Sequence, residues 1–236
     1  MIELTIPTPH GPAKAELHCS PQAGAELPCR SGAALLLGHG AGGSISAPDL
    51  VATTTAATAS GVHVALITQP YRVAGRRAPA SARRLDEAWL AVARYLAVGV
   101  FADLPLIFGG RSSGARVACR TAVAGGAVAV LCLAFPVHPP GRPDRSRMYE
   151  LDGVDVPMLV VQGERDPFGR PESAAGREVV LLPGDHSLKA DPAAVGRAVA
   201  EWLRGTQRHG MRAPCETLLG PWYRESNNPA TGPATG

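Results

Sequence analysis

Six short, nearly continuous apolar runs mark the chain: Ala33 to Leu37, His63 to Thr68, Leu104 to Phe108, Ala127 to Phe135, Met158 to Val161 and Glu178 to Leu182. Runs of this kind, too short for buried helices and lacking polar alternation, are what parallel strands covered on both faces look like. Between them the period changes. Leu85, Trp89, Val92 and Leu96 recur at spacings of four, three and four and form one helical stripe. Ser113 to Val123 and Pro192 to Leu203 behave alike, the latter through Val195, Val199 and Trp202. Pro48 suits the first turn of a helix running to Ala59. Before the first run, Ile2, Leu4 and Ile6 alternate with polar neighbours and Ala13 to Cys19 can pair with them, so residues 1–30 read as edge strands. Alternating strands and helices predict an α/β fold: a doubly wound, mostly parallel sheet with an antiparallel N-terminal edge.

The 236 residues suit one α/β domain, expected over 1–205, followed by a loose tail over 206–236 that is rich in Pro, Gly, Asn and Thr. Leu218, Leu219, Trp222 and Tyr223 are its only large apolar groups besides Met211. A formal net charge of +3 is too small to call for a nucleic-acid partner, and the arginines between Arg72 and Arg84 read as a solvated surface. The five cysteines, at 19, 29, 119, 132 and 215, form no Cys-x-x-Cys pair and lie at no metal-ligand spacing from a histidine, so no metal is expected. Cys119 and Cys132 read as buried small hydrophobes, and a Cys19 to Cys29 bridge is disfavoured in a reducing compartment. No signal-peptide pattern opens the chain, and no apolar stretch reaches the roughly 18 residues of a membrane span. The expectation is a soluble cytoplasmic protein with no membrane partner.

Three fragments fall just after apolar runs in the order serine, acid, histidine: Gly110-Arg111-Ser112-Ser113-Gly114, Gly163-Glu164-Arg165-Asp166 and Gly184-Asp185-His186. A hydroxyl is a poor nucleophile near neutral pH; it needs an imidazole to take its proton and a carboxylate to orient that imidazole. Only the Ser112 frame puts glycine two residues away on each side, as a strained strand-to-helix elbow needs. The backbone N–H of Ser113 then faces the developing oxyanion. Glu164 and Asp185 compete with Asp166 for the acid; the turn begun by Gly163 favours Asp166, and Asp185 is too close in sequence to align with His186. After the run ending at Leu37, His39-Gly40-Ala41-Gly42-Gly43 offers a second oxyanion donor, Ala41 or alternatively Gly42, with His39 fixing the loop. The same segment spells Gly38-x-Gly40-x-x-Gly43, a dinucleotide fingerprint, with Arg72 available for a 2′-phosphate. That rival, an NADP-dependent oxidoreductase, leaves the elbow, Asp166 and His186 without a role.

Taken together, Leu-Gly-His-Gly-Ala-Gly-Gly (37–43), Gln-Pro-Tyr-Arg with Gly-Arg-Arg-Ala-Pro (69–79), Gly-Gly-Arg-Ser-Ser-Gly-Ala-Arg (109–116), Phe-Pro-Val-His-Pro-Pro-Gly-Arg-Pro (135–143), Gln-Gly-Glu-Arg-Asp-Pro-Phe-Gly (162–169) and Gly-Asp-His-Ser-Leu-Lys (184–189) resemble the α/β-hydrolase superfamily. More narrowly they resemble a dienelactone-hydrolase-like subfamily that includes a subunit of a eukaryotic chromatin complex (NSL). The resemblance spans about residues 30–205 and implies Ser112 as nucleophile, Asp166 as acid and His186 as base. The elbow reads Ser-Ser-Gly-Ala where the subfamily often has Ser-Met-Gly-Gly. Dienelactone hydrolases proper use a cysteine nucleophile, so Ser112 argues against that activity.

The resulting expectation is a carboxylesterase-like serine hydrolase acting on an ester, thioester or related small acyl substrate without a cofactor, the alternative being a non-catalytic interaction module on the same fold. His39, Gly42, Tyr71, Arg76, His138 and Arg142 are the candidate substrate-binding residues; His138, Arg76, Arg77 and Arg142 can hold an anionic group, or their loops can simply lock together. Only about twenty residues separate Phe135 from Met158, too few for a separate cap domain. A shallow pocket, or one covered by residues 136–156, is expected.

Overall fold

Each apolar run becomes a strand because its residues alternate between two cores. The computed structural model describes residues 2–21, 29 and 32–208. Its strands are β1 (Ile2–Ile6), β2 (Ala13–His18), β3 (Ala33–Gly38), β4 (Val62–Thr68), β5 (Leu106–Arg111), β6 (Ala129–Leu133), β7 (Met158–Gly163) and β8 (Arg177–Leu182). They form one sheet in the order β1-β2-β4-β3-β5-β6-β7-β8. The pairs β1–β2 and β2–β4 are antiparallel and the other five are parallel. Along β3, Ala34 and Leu36 face one core while Ala33, Leu35 and Leu37 face the other; in β6, Val130 and Cys132 oppose Ala129, Leu131 and Leu133 in the same way.

Helices cover both faces. On one lie α3 (Ala82–Val98) and α4 (Ser113–Thr121), on the other α1 (Pro48–Ala59) and α6 (Pro192–Arg208). The stripe Leu85, Trp89, Val92 and Leu96 is fully engaged in the first core, and each such side chain contributes roughly 1.5–3 kcal/mol by leaving water. Val195, Val199, Trp202 and Leu203 do the same for α6 in the second. Two single-turn helices, α2 (Pro70–Val73) and α5 (Met148–Asp152), were not anticipated, being too short to show a helical period. Among the described residues there is no separate cap domain. Among the described residues no helix is long and apolar enough to cross a membrane.

Several boundaries differ from expectation for physical reasons. The run at 104–108 continues as strand through Gly109 and Gly110, which pair with Leu131 and Cys132 of β6; a side chain on Gly109 would meet Leu131 at 3.1 Å. The run at 127–135 is strand only over 129–133, because Ala134 turns to φ 49°. The last helix passes position 205 and reaches Arg208. Residues 209–236, with the expected tail, Cys215 and Trp222, lie outside the described residues, as does the end of the N-terminal segment at 22–28 and 30–31.

The connectivity fixes where chemistry can occur. The chain leaves β3 toward α1 on one face and leaves β5 toward α4 on the other, although β3 and β5 are neighbours. Their connections part at the carboxyl ends and open a crevice between them.

Candidate active site

Ser112 sits at that crevice with φ 52° and ψ −108°, a backbone conformation that costs a non-glycine residue on the order of 1–3 kcal/mol. Close packing on every side holds it there. The Ser112 N–H donates to the Leu133 carbonyl at 2.9 Å. A side chain on Gly110 would come within 2.5 Å of the Gly114 carbonyl carbon, and one on Gly114 within 2.5 Å of the Gly38 oxygen. Both glycines are therefore dictated by backbone contact, and Ser113 opens α4 directly after the turn.

His186 and Asp166 reach the same point from the ends of β8 and β7. His186 Nε2 lies 2.9 Å from Ser112 Oγ, and its Nδ1 lies 2.8 Å from Asp166 Oδ2. The carboxylate fixes the tautomer: Nδ1–H donates to Asp166, and Nε2 accepts from the serine hydroxyl. Asp166 is buried, and two further donors hold it: Gln162 Nε2–H to Oδ2 at 2.8 Å and the Phe168 N–H to Oδ1 at 2.8 Å. The Phe168 ring meets the imidazole edge to face at 4.4 Å between centroids. Of the competing carboxylates, Glu164 is exposed. Asp185 accepts hydrogen bonds from the N–H and hydroxyl of Ser187, which hold its carboxyl below the usual range.

The loop after β3 is built around His39. Its Nδ1–H donates to the Gly40 carbonyl at 2.7 Å while Nε2 accepts the Gln69 N–H at 3.1 Å, and burial pushes its pKa down. Both nitrogens serve backbone, so His39, placed among the substrate-binding candidates, is a buried loop fastener instead. Tyr71, in the same list, is also buried, and its hydroxyl donates to the Ala41 carbonyl at 2.7 Å. Ala41 and Gly42 thus lie on a turn closed by Gly43 N–H to Gly40 O at 3.3 Å. The turn does not suit the dinucleotide rival. Its third glycine, Gly43, meets nothing closer than 4.0 Å where a side chain would go, and α1 begins only at Pro48.

Three of the residues expected either to hold an anion or to lock their loops have separate partners. Arg142 lies 3.5 Å from Asp144 on an exposed turn. Arg76 lines an open depression with His10, Gln69, Tyr71 and Arg84, to which Ser112, Asp166 and His186 contribute nothing. His138 instead packs on the acid loop: its N–H donates to the Phe168 carbonyl at 3.2 Å and its ring lies against Gly169. Arg76, Arg77, Arg83 and Arg84 are exposed, in line with a solvated surface.

Other features escaped the sequence reading. Gly163 is required because a side chain there would lie 2.4 Å from the Asp185 carbonyl, so the acid and histidine loops touch through backbone. Gln162 was visible only as part of the quoted motif. Cys19, Cys29 and His63, dispersed in sequence, come within 4.8 Å of one another. The thiols are 3.7 Å apart, and burial with the neighbouring thiol pushes Cys29 up to about 12. His63 Nδ1 accepts the Ser20 N–H at 3.2 Å, so that lone pair is already used.

The fold matches that of known proteins. The chain superimposes on Est1E from Butyrivibrio proteoclasticus with a TM-score of 0.69 at 15% identity, covering 87% of this chain and 99% of that one. A lidless α/β serine hydrolase from Xanthomonas campestris gives 0.66 at 21% identity, covering 86% and 94%, and the esterase domain of a Rhodothermus marinus protein gives 0.63 at 19%, covering 86% and 98%. No curated protein sequence matches the chain. The family model described as an alpha/beta hydrolase domain matches residues 31–204, from the start of the parallel sheet to the end of the apolar stripe on α6, and the chain belongs to the α/β-hydrolase family.

Proposed function

We propose that this hydrolase is a serine esterase of the carboxylesterase type, cleaving an ester, thioester or related acyl compound through an acyl-enzyme on Ser112. The observation that carries the reading is the unbroken relay from Ser112 Oγ to His186 and Asp166, seated on a strained elbow. In the first half-reaction Oγ attacks the acyl carbonyl as its proton passes to His186 Nε2. Asp166 stabilises the imidazolium through the Nδ1–H bond. The N–H of Ser113, at the start of α4, and that of Ala41 or Gly42 supply the oxyanion donors, a contribution worth about 3–4 kcal/mol per donor in comparable sites. Collapse of the tetrahedral intermediate expels the leaving group, which takes the proton from His186. Water then attacks the acyl-enzyme with His186 as base, and Ser112 is regenerated.

The motifs at 69–79 and 135–143 support membership of the dienelactone-hydrolase-like branch, and the serine nucleophile separates the chain from dienelactone hydrolases proper. The test joins two measurements: labelling of Ser112 by a fluorophosphonate, and turnover of an ester panel graded by chain length and charge. Wild type is expected to label and turn over, and Ser112→Ala to do neither. A well-folded wild type that fails to label supports an interaction module instead. An alanine variant with full turnover rejects Ser112 as the nucleophile.

A further inference from the structure

Arg111, the residue before the nucleophile, touches the loop after β3, the His186 loop and the first turn of α1. Its Nη2–H donates to the His186 carbonyl at 3.2 Å. Its Nη1 lies where a side chain on Gly40 would be, 2.9 Å from that atom's ideal position, so the guanidinium rests on the backbone of the oxyanion loop one residue before Ala41. Its Nε lies 2.9 Å from Asp49 Oδ2 in the first turn of α1, the helix that this loop leads into. The Asp49 carboxylate is completely buried, and the Nε–H is not aimed squarely at it, so the contact is one of charge. Burial raises the Asp49 pKa and the arginine opposes that rise.

A buried carboxylate with a single cationic partner is an expensive arrangement that shape complementarity alone does not require. Apolar residues of similar size would fill the same space. What they would not do is present two further N–H groups in a fixed fork, one edge to the histidine loop and one to the oxyanion loop. The rest of the oxyanion loop is held by Tyr71 and His39 from the β4 side, and the rest of the histidine loop by Asp166. Arg111 and Ser112 both reach the two loops from the elbow between them, and of these two only Arg111 lies outside the relay to His186 and Asp166.

We propose that Arg111, seated on the buried Asp49, is a positioning residue that sets the spacing of the nucleophile elbow, the oxyanion loop and the His186 loop. It touches no reacting atom. The proposal rests on the serine-hydrolase reading above. Misplacement of catalytic groups by an ångström or less lowers the chemical step with little effect on binding, so the signature is a fall in kcat at nearly constant KM.

The test uses the full chain and compares wild type, Arg111→Lys, Arg111→Ala, Asp49→Asn and the double variant Asp49→Leu/Arg111→Met, each checked for folding by thermal unfolding. For the folded variants kcat is expected to fall roughly ten- to a hundredfold with KM within threefold. Arg111→Lys, which keeps the charge and loses the fork, should show a loss too. Added guanidinium ion should recover part of kcat in Arg111→Ala and none in the double variant. The double variant removes both charges and so keeps the fold testable if single changes unfold the chain. Turnover within twofold of wild type in it, or in Arg111→Lys, overturns the proposal. So does a rise in KM at unchanged kcat, which would make Arg111 a substrate contact. If wild type neither labels at Ser112 nor turns over any ester, the hydrolase reading fails first and this proposal with it; equal labelling of wild type and variants sinks the positioning role alone.

Discussion

The ends of β5, β7 and β8 and the loops that follow β4 and β6 lie at the same end of the sheet, yet one set converges and the other does not. Ser112, Asp166 and His186 meet within hydrogen-bonding distance although 74 residues separate the first from the last. Arg76 and Arg142, read as either anion-holding or loop-locking residues, turn to a side depression and to a neighbouring Asp144. The difference is mechanical. Ser112, Asp166 and His186 follow the ends of β5, β7 and β8 by one, three and four residues, in short turns fixed by backbone hydrogen bonds and close backbone contacts. Arg76 and Arg142 stand eight and nine residues beyond β4 and β6. A residue several positions into an exposed loop inherits nothing except chain connectivity.

Substitutions can break or sharpen this contrast. The largest effect is expected at the acid: Asp166→Asn leaves shape intact but removes the charge that fixes the His186 tautomer, and kcat for ester hydrolysis should drop on the order of 10³–10⁴-fold. Next, Gln162→Met deletes a donor to Asp166 and to the Phe135 and Gly169 carbonyls. Hydrogen bonds to charged groups are worth about 1.5–3 kcal/mol, so kcat/KM should fall roughly ten- to a hundredfold.

Stability separates the same two regions. Gly114→Ala drives a methyl into the Gly38 carbonyl and should cost about 1–3 kcal/mol or more in urea unfolding, whereas Gly42→Ala, with nothing within 4 Å, should change stability by under about 0.5 kcal/mol. A smaller effect depends on pH. The His39 pKa is lowered from 6.5 by burial, so the neutral ring adds stability that is complete above about pH 6.5 and is lost as acid reaches the folded pKa. Urea midpoints at pH 7.5 and 5.5 should therefore differ, and His39→Gln should shrink the difference. The smallest effect closes the comparison: Arg142→Ala should alter kcat/KM for anionic and neutral esters by less than about twofold. A selective tenfold loss for anionic esters would bring the loop back into the site.

Much of this was legible beforehand, and what was missed has specific causes. The apolar stripe of α3 was readable from its helical period, and the six parallel runs from their shortness and continuous apolar character, both signals that a window of ten residues or so contains. The elbow was readable because its two glycines flank the serine at fixed spacing directly after an apolar run, although Gly114 is required by the distant Gly38 carbonyl. Arg111, Asp49 and Gly163 were not, since their roles come from backbone and charge contacts made by segments 20 to 75 residues distant, and no local pattern marks a position for a neighbour so remote. The cysteine–histidine group at Cys19, Cys29 and His63 escaped for the same reason: pairing of β2 with β4 brings Cys19 beside His63, and the Cys29 N–H is held by the Val100 carbonyl, with no motif marking the three.

Local order therefore carried the alternation of strand and helix, the doubly wound class and the identity of the three chemical groups, because hydrophobic period and turn residues act over a few positions. Tertiary structure alone decided that Arg76 and Arg142 take partners away from Ser112 and that Arg111 sits on the buried Asp49. Those outcomes depend on the lateral order of strands and on desolvation, both of which are settled only when distant segments pack.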